Sequence, residues 1–306
     1  MIPVQTFQRL SDFQADFNVK QFEKRVEPQK VLMCSPDYFD IIDVKNPYME
    51  SQEGLLNHDL AYTQWEQLKA VYENWKTRGL IEEVFIIPGA EGREDMVFCA
   101  NQSFPYLNAL QQKAVVMSKM RHESRQLEVP HFERFYKDLG YQITHLQEAS
   151  LFEGMGDTIP HPGRKLFYGG YGHRSDSIAY AELMKITGAS FVLLELVNEN
   201  FYHLDTCFVP LSDEAVMYCP EAFTPEGIQI IQRCFTTIYE IPMDEVLSTF
   251  CLNAHVLTTE KQAVLQSGSV IAKAALLKES YEIAELETSE FMKSGGSVFC
   301  MKMMVY

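Results

Sequence analysis

Basic residues are scarce in this chain: 26 Lys and Arg stand against 42 Asp and Glu, a formal charge of −16. Binding phosphate needs clustered Lys and Arg, so no nucleic-acid partner is expected. Paired cysteines are missing too. The seven cysteines are scattered, odd in number and nowhere spaced C-x-x-C. That argues against a structural zinc site or a disulfide framework and fits free thiols in a reducing cytoplasmic setting. Long apolar runs are absent; the longest, Phe191 to Val197, is far too short to cross a membrane. The opening residues, MIPVQTFQRLSDFQADF, lack a basic stretch followed by an apolar run, so no secretory signal is expected. Neither G-x-G-x-x-G after a strand nor G-x-x-x-x-G-K-[ST] occurs, which leaves dinucleotide and P-loop functions without support. No repeat is visible by eye and no Gly/Ser- or Pro-rich linker divides the chain. The expectation is one catalytic domain over 1–306, with residues 1–29 a polar N-terminal extension packing on it.

What is present suits a globular protein: 46% apolar and 22% charged residues supply a core without metals or disulfides. The acidic surface draws a small cation weakly, within the roughly 8–10 Å that salt leaves unscreened, and otherwise keeps the chain soluble. Strand-like and helix-like stretches alternate. KVLMC at 30–34 reads as a strand. From His58 to Thr77, Ala61, Trp65, Leu68, Tyr72 and Trp75 recur at steps of three and four, an amphipathic helix stopped at Gly79. Both tryptophans therefore read as core anchors. Strands are expected at 83–88, 114–118, 141–146, 166–168, 191–197, 201–209, 215–219 and 236–241. Helices are expected at 132–139 and 177–186, from Pro225, from Met243, and over 270–279. The class is α/β, with strand pairs between helices that a simple doubly wound sheet does not contain.

Five segments carry the candidate chemistry: GREDMVFCAN (92–101), FEGMGD (152–157), YGHRSD (171–176), FYHLDTCF (201–208) and SGGSVFCMK (294–302). If FYHLDTCF is a strand, His203, Asp205 and Cys207 share a face, because residues two apart point the same way. A carboxylate beside an imidazole raises its basicity and fixes its orientation, as acid/base work requires. The same H-x-D pair also serves purely structural ends, and Cys207 is then a rival nucleophile. The glycines of FEGMGD permit a turn that aims Glu153 into a cleft, or simply a turn. Cys300, after a Gly-Gly-Ser loop, is either an activated thiol or a buried inert one.

Taken together these segments resemble the guanidino-group-modifying superfamily, which includes arginine deiminases, dimethylarginine dimethylaminohydrolases and amidinotransferases. The matching pieces are D-M-V-F-x-A-N at 95–101, F-E-G-x-G-D at 152–157, G-x-R-S-D at 172–176, F-Y-H-L-D-T-C-F at 201–208 and G-G-x-V-x-C at 295–300. The opening strand V-L-M-C-S-P-D-Y-F-D at 31–40 matches as well. The resemblance spans about residues 31–302 and implies a five-bladed α/β propeller (the pentein fold) of strand–strand–helix–strand units around a central channel. It implies Cys300 as nucleophile, His203 as acid/base and Glu153 as the carboxylate supporting the histidine. It further implies Asp95 and Asp205 on the guanidinium nitrogens and Arg174 on a substrate carboxylate. Asn101 stands where relatives that form ornithine carry an asparagine. The implied activity is hydrolysis of arginine or a related guanidino compound through a covalent S-alkylthiouronium. An amidinotransferase and a non-catalytic pentein-type binding protein are the alternatives. No cofactor, metal, nucleic acid or membrane is implied; a small cationic guanidino substrate is, and an oligomer stays open. Arg93, Glu94, Phe299, Met301 and the 160–164 segment depart from the pattern, the last as a lid or as plain surface.

Overall fold

Five times over, the described residues build the same unit. The computed structural model describes residues 4–306. Lys30–Cys34 leads through the helix His58–Thr77 to Glu83–Ile87 as its parallel neighbour. The same strand–helix–strand step joins Lys113–Met117 to Gln142–His145 through Val129–Asp138, and Leu166–Tyr171 to Ser190–Glu195 through Ser177–Thr187. It recurs from Ala215–Tyr218 through Pro225–Cys234 to Thr237–Glu240, and from Gln262–Gln266 through Ile271–Lys278 to Glu282–Leu286. One antiparallel strand flanks each central strand, so five separate small sheets result among the described residues. Met303–Val305, almost the last residues, supplies that antiparallel strand to Lys30–Cys34. The end of the chain is thereby fastened to its beginning, and Cys300 is held just before a paired strand.

The helix His58–Thr77 shows why these residues fold as they do. Asn57 accepts a hydrogen bond from the Leu60 amide at its start. Ala61, Trp65, Leu68, Tyr72 and Trp75 are buried along one face, and Gly79 at φ +71° ends it. Residues 4–29 also reach the core. Phe7, Phe17, Val19 and Phe22 are buried in one apolar cluster with Tyr168 and Leu194, and Thr6–Phe7 pairs in parallel with Ser190–Glu195. The first three residues of the expected extension lie outside the described part.

Two expectations need correction. Phe201–Val209 is not one strand: only Phe208–Pro210 is, preceded by a 3₁₀ turn at Leu204–Thr206. Asp157 Oδ1 accepts the Leu204 amide at 3.1 Å, and Thr206 Oγ1 donates to the His203 carbonyl at 2.7 Å. These local side-chain bonds outcompete the ladder, so the alternation argument for His203, Asp205 and Cys207 fails. The 160–164 segment is the turn between Thr158–Pro160 and Leu166–Tyr171. It is tied down by buried His161, whose Nδ1 meets the Tyr168 hydroxyl at 2.8 Å, and by Arg164 donating to the Lys20 and Phe22 carbonyls. Ser103–Leu107, His255–Leu257, Gln262–Gln266 and Glu282–Leu286 are strands with no counterpart among the expected elements. Pro105 masks the first, and is accommodated because that strand is a sheet edge.

Candidate active site

The FEGMGD loop and the turn at His203 are built around each other. Ser175 Oγ donates to Asp157 Oδ2 at 2.6 Å and accepts the Glu153 amide at 3.0 Å, while Asp157 holds Leu204. Gly156 is required here. A Cβ on it would sit 2.2 Å from Asn101 Nδ2 and 3.4 Å from His203 Cγ, so only glycine lets the two side chains close over this backbone. Gly154, at φ +56°, likewise passes against the Ser103 backbone.

Glu153 is fully buried and meets His203 Nε2 at 2.7 Å through Oε2. The same oxygen accepts Arg174 Nη1 at 3.3 Å, and Oε1 accepts the Arg121 amide at 2.9 Å. Burial works to raise the Glu153 pKa. Arg174, the histidine bond and Arg125 outweigh it and hold the carboxyl well below its ordinary range. Burial pushes His203 down to about 4 against the opposing pull of Glu153, so the imidazole is neutral near pH 7. Arg174 spends Nη2 on the Lys45 carbonyl at 2.8 Å and stacks over Tyr202, its carbon 4.8 Å from the ring centre.

Cys300 is placed by Asn253, a residue that sequence reasoning missed. Asn253 Oδ1 accepts the Ser297 and Cys300 amides at 3.1 and 3.2 Å; its Nδ2 donates to the Asp205 carbonyl at 3.0 Å and to Cys300 Sγ at 3.1 Å. The thiol in turn donates to Asp205 Oδ2 at 3.3 Å. Burial, then the Asp205 charge, raises the thiol pKa well above its ordinary value, so the resting sulfur is protonated. Burial also lifts Asp205 to about 7. Nothing in L-N-A-H at 252–255 singles out Asn253 by pattern; its role exists only once the turn carrying Asp205 and the C-terminal loop carrying Ser297 and Cys300 pack against it.

Cys300, His203, Asp95, Asn101, Arg174, Arg125 and Lys45 line one small cavity of about 20 Å³, room for little more than a water molecule. Lys45 fills part of it. Its Nζ lies 3.0 Å from Asp95 Oδ2 and 2.9 Å from Glu94 Oε1, and it also meets Asp43. These carboxylates, led by Asp95, hold the lysine charged against the opposing effect of burial. Asn101 Oδ1 accepts Arg125 Nη1 at 3.1 Å, and its Nδ2 is buried without a partner. The structure thus brings Cys300, His203, Asp95, Asn101 and Arg174 to one cavity, with Glu153 directly behind His203. Asp205 touches Cys300 but lines a different cavity. Cys207 is excluded from both; it is fully buried and its Sγ approaches the Leu204 carbonyl at 3.5 Å. No group of three or more His, Cys, Asp or Glu is arranged to hold a metal, and no helix is long and apolar enough to cross a membrane, among the described residues.

The profile of the eukaryotic N,N dimethylarginine dimethylhydrolase family matches residues 36–306. The chain belongs to that family. It is 30% identical over 277 residues to the bifunctional arginine dihydrolase/ornithine cyclodeaminase ArgZ of Synechocystis sp., covering 90% of this chain and 37% of the relative. It therefore spans little more than a third of that cyanobacterial protein. It is 28% identical to the N(G),N(G)-dimethylarginine dimethylaminohydrolase of Mycobacterium tuberculosis, over 91% of this chain and 86% of that one. The crystal structure of the N-terminal domain of ArgZ, a cysteine-to-serine variant bound to substrate, superposes with a TM-score of 0.83 at 29% identity. The match covers 90% of this chain and 97% of that domain. Another structure of that domain holds a covalently bound reaction intermediate.

Proposed function

We propose that this chain is a cysteine-dependent hydrolase of arginine or a closely related guanidino compound, with Cys300 as nucleophile and His203 as acid/base. The observation that carries the proposal is the shared cavity. A thiol, a neutral imidazole backed by an ionised carboxylate, and Asp95 face one space. The relatives named for dihydrolysis of arginine and for dimethylarginine hydrolysis support the substrate class. As part of the same proposal, the chain is one catalytic domain on which the N-terminal extension packs over its described residues 4–29, and the five like sheets surround a central channel as propeller blades. A cytoplasmic setting is supported by the free cysteines.

The chemistry follows from the resting charges. A guanidinium entering beside Asp95 replaces the Lys45 ammonium and brings its positive carbon to Cys300. Its charge favours the thiolate that burial opposes. The thiol proton passes to His203 as sulfur bonds to carbon, and His203 hands that proton to the departing nitrogen as the C–N bond breaks. Glu153 stabilises the transient imidazolium. Water then bonds to the thiouronium carbon and gives a proton to His203; as the C–S bond breaks the sulfur takes that proton back, restoring the thiol and the neutral imidazole. Arg174 faces the same cavity as the candidate partner for a substrate carboxylate. Asn101 is proposed to set how far hydrolysis proceeds.

The test is to incubate the protein with arginine, methylarginines, agmatine and guanidinoacetate, with and without acceptor amines, and to identify products by mass spectrometry. Expected are a hydrolytic product from at least one guanidine and a covalent adduct on the Cys300 peptide after acid quench. No turnover of any of them, or an adduct on Cys207, overturns the assignment. Dependence on the acceptor amine would make the chain an amidinotransferase.

A further inference from the structure

Residues 35–57 join Lys30–Cys34 to His58–Thr77 as a loop with one 3₁₀ turn, Pro47–Met49. Ile42, Asp43 and Val44 in this loop are exposed, whereas the Lys45 side chain is 2% exposed. Asn46 Nδ2 donates to the Ser294 carbonyl at 3.0 Å, and the Lys45 amide donates to Met49 Sδ at 3.2 Å. The loop is therefore a strap laid over the site, fastened beside the loop that carries Cys300, and it sends one charge inward.

Lys45 occupies both ends of the site at once. Its ammonium sits 3.0 Å from Asp95 and 2.9 Å from Glu94, and Asp43 holds it from the strap itself. Its carbonyl accepts Arg174 Nη2 at 2.8 Å, and Arg174 gives Nη1 to Glu153, so both terminal nitrogens of that arginine are committed. With Lys45 in place the cavity, about 20 Å³, has no room for a guanidinium. The ammonium nonetheless serves the acids incompletely. Asp95 Oδ2 and Glu94 Oε2 are buried and find no aligned hydrogen bond among the described residues. Buried acceptors in that state are costly, so the strap is held less firmly than a full set of bonds would hold it.

We propose that Lys45 determines specificity by standing in for the substrate at both ends, its ammonium for a guanidinium and its carbonyl for a carboxylate, which rests on this cavity being a guanidine site. A ligand that carries both groups replaces both Lys45 contacts. A guanidine without a carboxylate takes over Asp95 as it lifts the strap, but it leaves Arg174 Nη2 without an acceptor. Arg174 is buried, so that orphaned donor weakens the shorter ligand alone. With an uncharged side chain at position 45 the strap has no grip on Asp95. The carbonyl can then stay on Arg174 while a guanidine enters, and the handicap of the shorter ligand disappears.

The experiment titrates arginine and butylguanidine by calorimetry into the full chain carrying Cys300→Ser, which holds off turnover, with and without Lys45→Met. Expected is that Lys45→Met tightens butylguanidine at least fivefold more than it tightens arginine, narrowing the preference for the amino acid. Lys45→Arg keeps the charge and adds donors for Asp95 and Glu94, so it should weaken both ligands at least fivefold. That opposite sign is not what general damage to the loop would give. Lys45→Arg also stands as the test if Lys45→Met, which leaves buried carboxylates unpaired, fails to fold. Equal gains for the two ligands in Lys45→Met, or unchanged or tighter binding in Lys45→Arg, overturn the proposal and leave the guanidine site standing. Guanidines bound by none of these proteins would sink the hydrolase assignment as well.

Discussion

Replacing Asn253 separates what holds Cys300 in place from what makes it reactive. Asn253→Ala strips the acceptor from the Ser297 and Cys300 amides and the donor from the Asp205 carbonyl, all of them buried. Each orphaned group costs about 1–3 kcal/mol, so with partial relaxation the loss is about 3–5 kcal/mol of stability. Asn253→Asp keeps the oxygen that the two amides need but sets a second carboxylate beside the sulfur, where Nδ2 now lies 3.1 Å away. Two negative charges that close repel by several kcal/mol even at an effective dielectric of about 20, and about 1.4 kcal/mol of it shifts a pKa by one unit. The aspartate variant should therefore lose less stability than the alanine variant. Its Cys300 should alkylate at least tenfold more slowly at pH 8, with the rate profile displaced to higher pH. Urea denaturation and iodoacetamide kinetics read by peptide mass spectrometry measure the two quantities. Wild-type alkylation in Asn253→Asp, or a cost below about 1 kcal/mol in Asn253→Ala, would refute the positioning role.

Cys300→Ser should keep the fold and lose turnover, whereas Cys207→Ser should keep both; activity surviving the first change or lost in the second would relocate the nucleophile. Gly156→Ala should cost about 1–3 kcal/mol because its methyl collides with Asn101. Adding Asn101→Ala should recover at least half of that in a denaturation cycle, and no recovery would place the clash elsewhere. Arg174→Ala should lower kcat for arginine and agmatine alike, since Glu153 loses its partner, and raise KM further for arginine only; an unaffected agmatine kcat would break the link to Glu153. Lys302 bears on pH. Burial brings its pKa from 10.5 down to about 7, so between those values the unfolded chain binds the extra proton and stability rises with pH. The urea midpoint of wild type should climb from pH 7 to pH 9 relative to Lys302→Met, and parallel curves would show that the lysine is not desolvated.

Much of this was legible before any coordinates. The helix His58–Thr77 advertises itself through its spaced aromatics, and Glu153, His203 and Cys300 each stand in a distinctive segment. The failures have one physical origin. Periodicity reports what a segment buries, not which side chains bond its backbone, so Phe201–Val209 reads as a strand although Asp157 and Thr206 fold it into a turn. Asn253 and Lys45 carry no clear local signal, because the partners that place them at the site, Cys300 and Asp95, lie far along the chain. Short strands such as His255–Leu257 are invisible for a related reason: three residues hold no period.

Lys45 keeps Asp95 paired before a substrate arrives. Asp95 is never bare, so a substrate does not fall into an unscreened negative well but exchanges one cation for another. The net Coulomb gain of that exchange is small, and affinity comes to depend on geometry, on how a flat forked cation serves the carboxylate better than a round one. Simple amines and metal cations gain nothing over the lysine already in place. Discrimination for guanidines is in this way written into the ground state, before any chemistry begins.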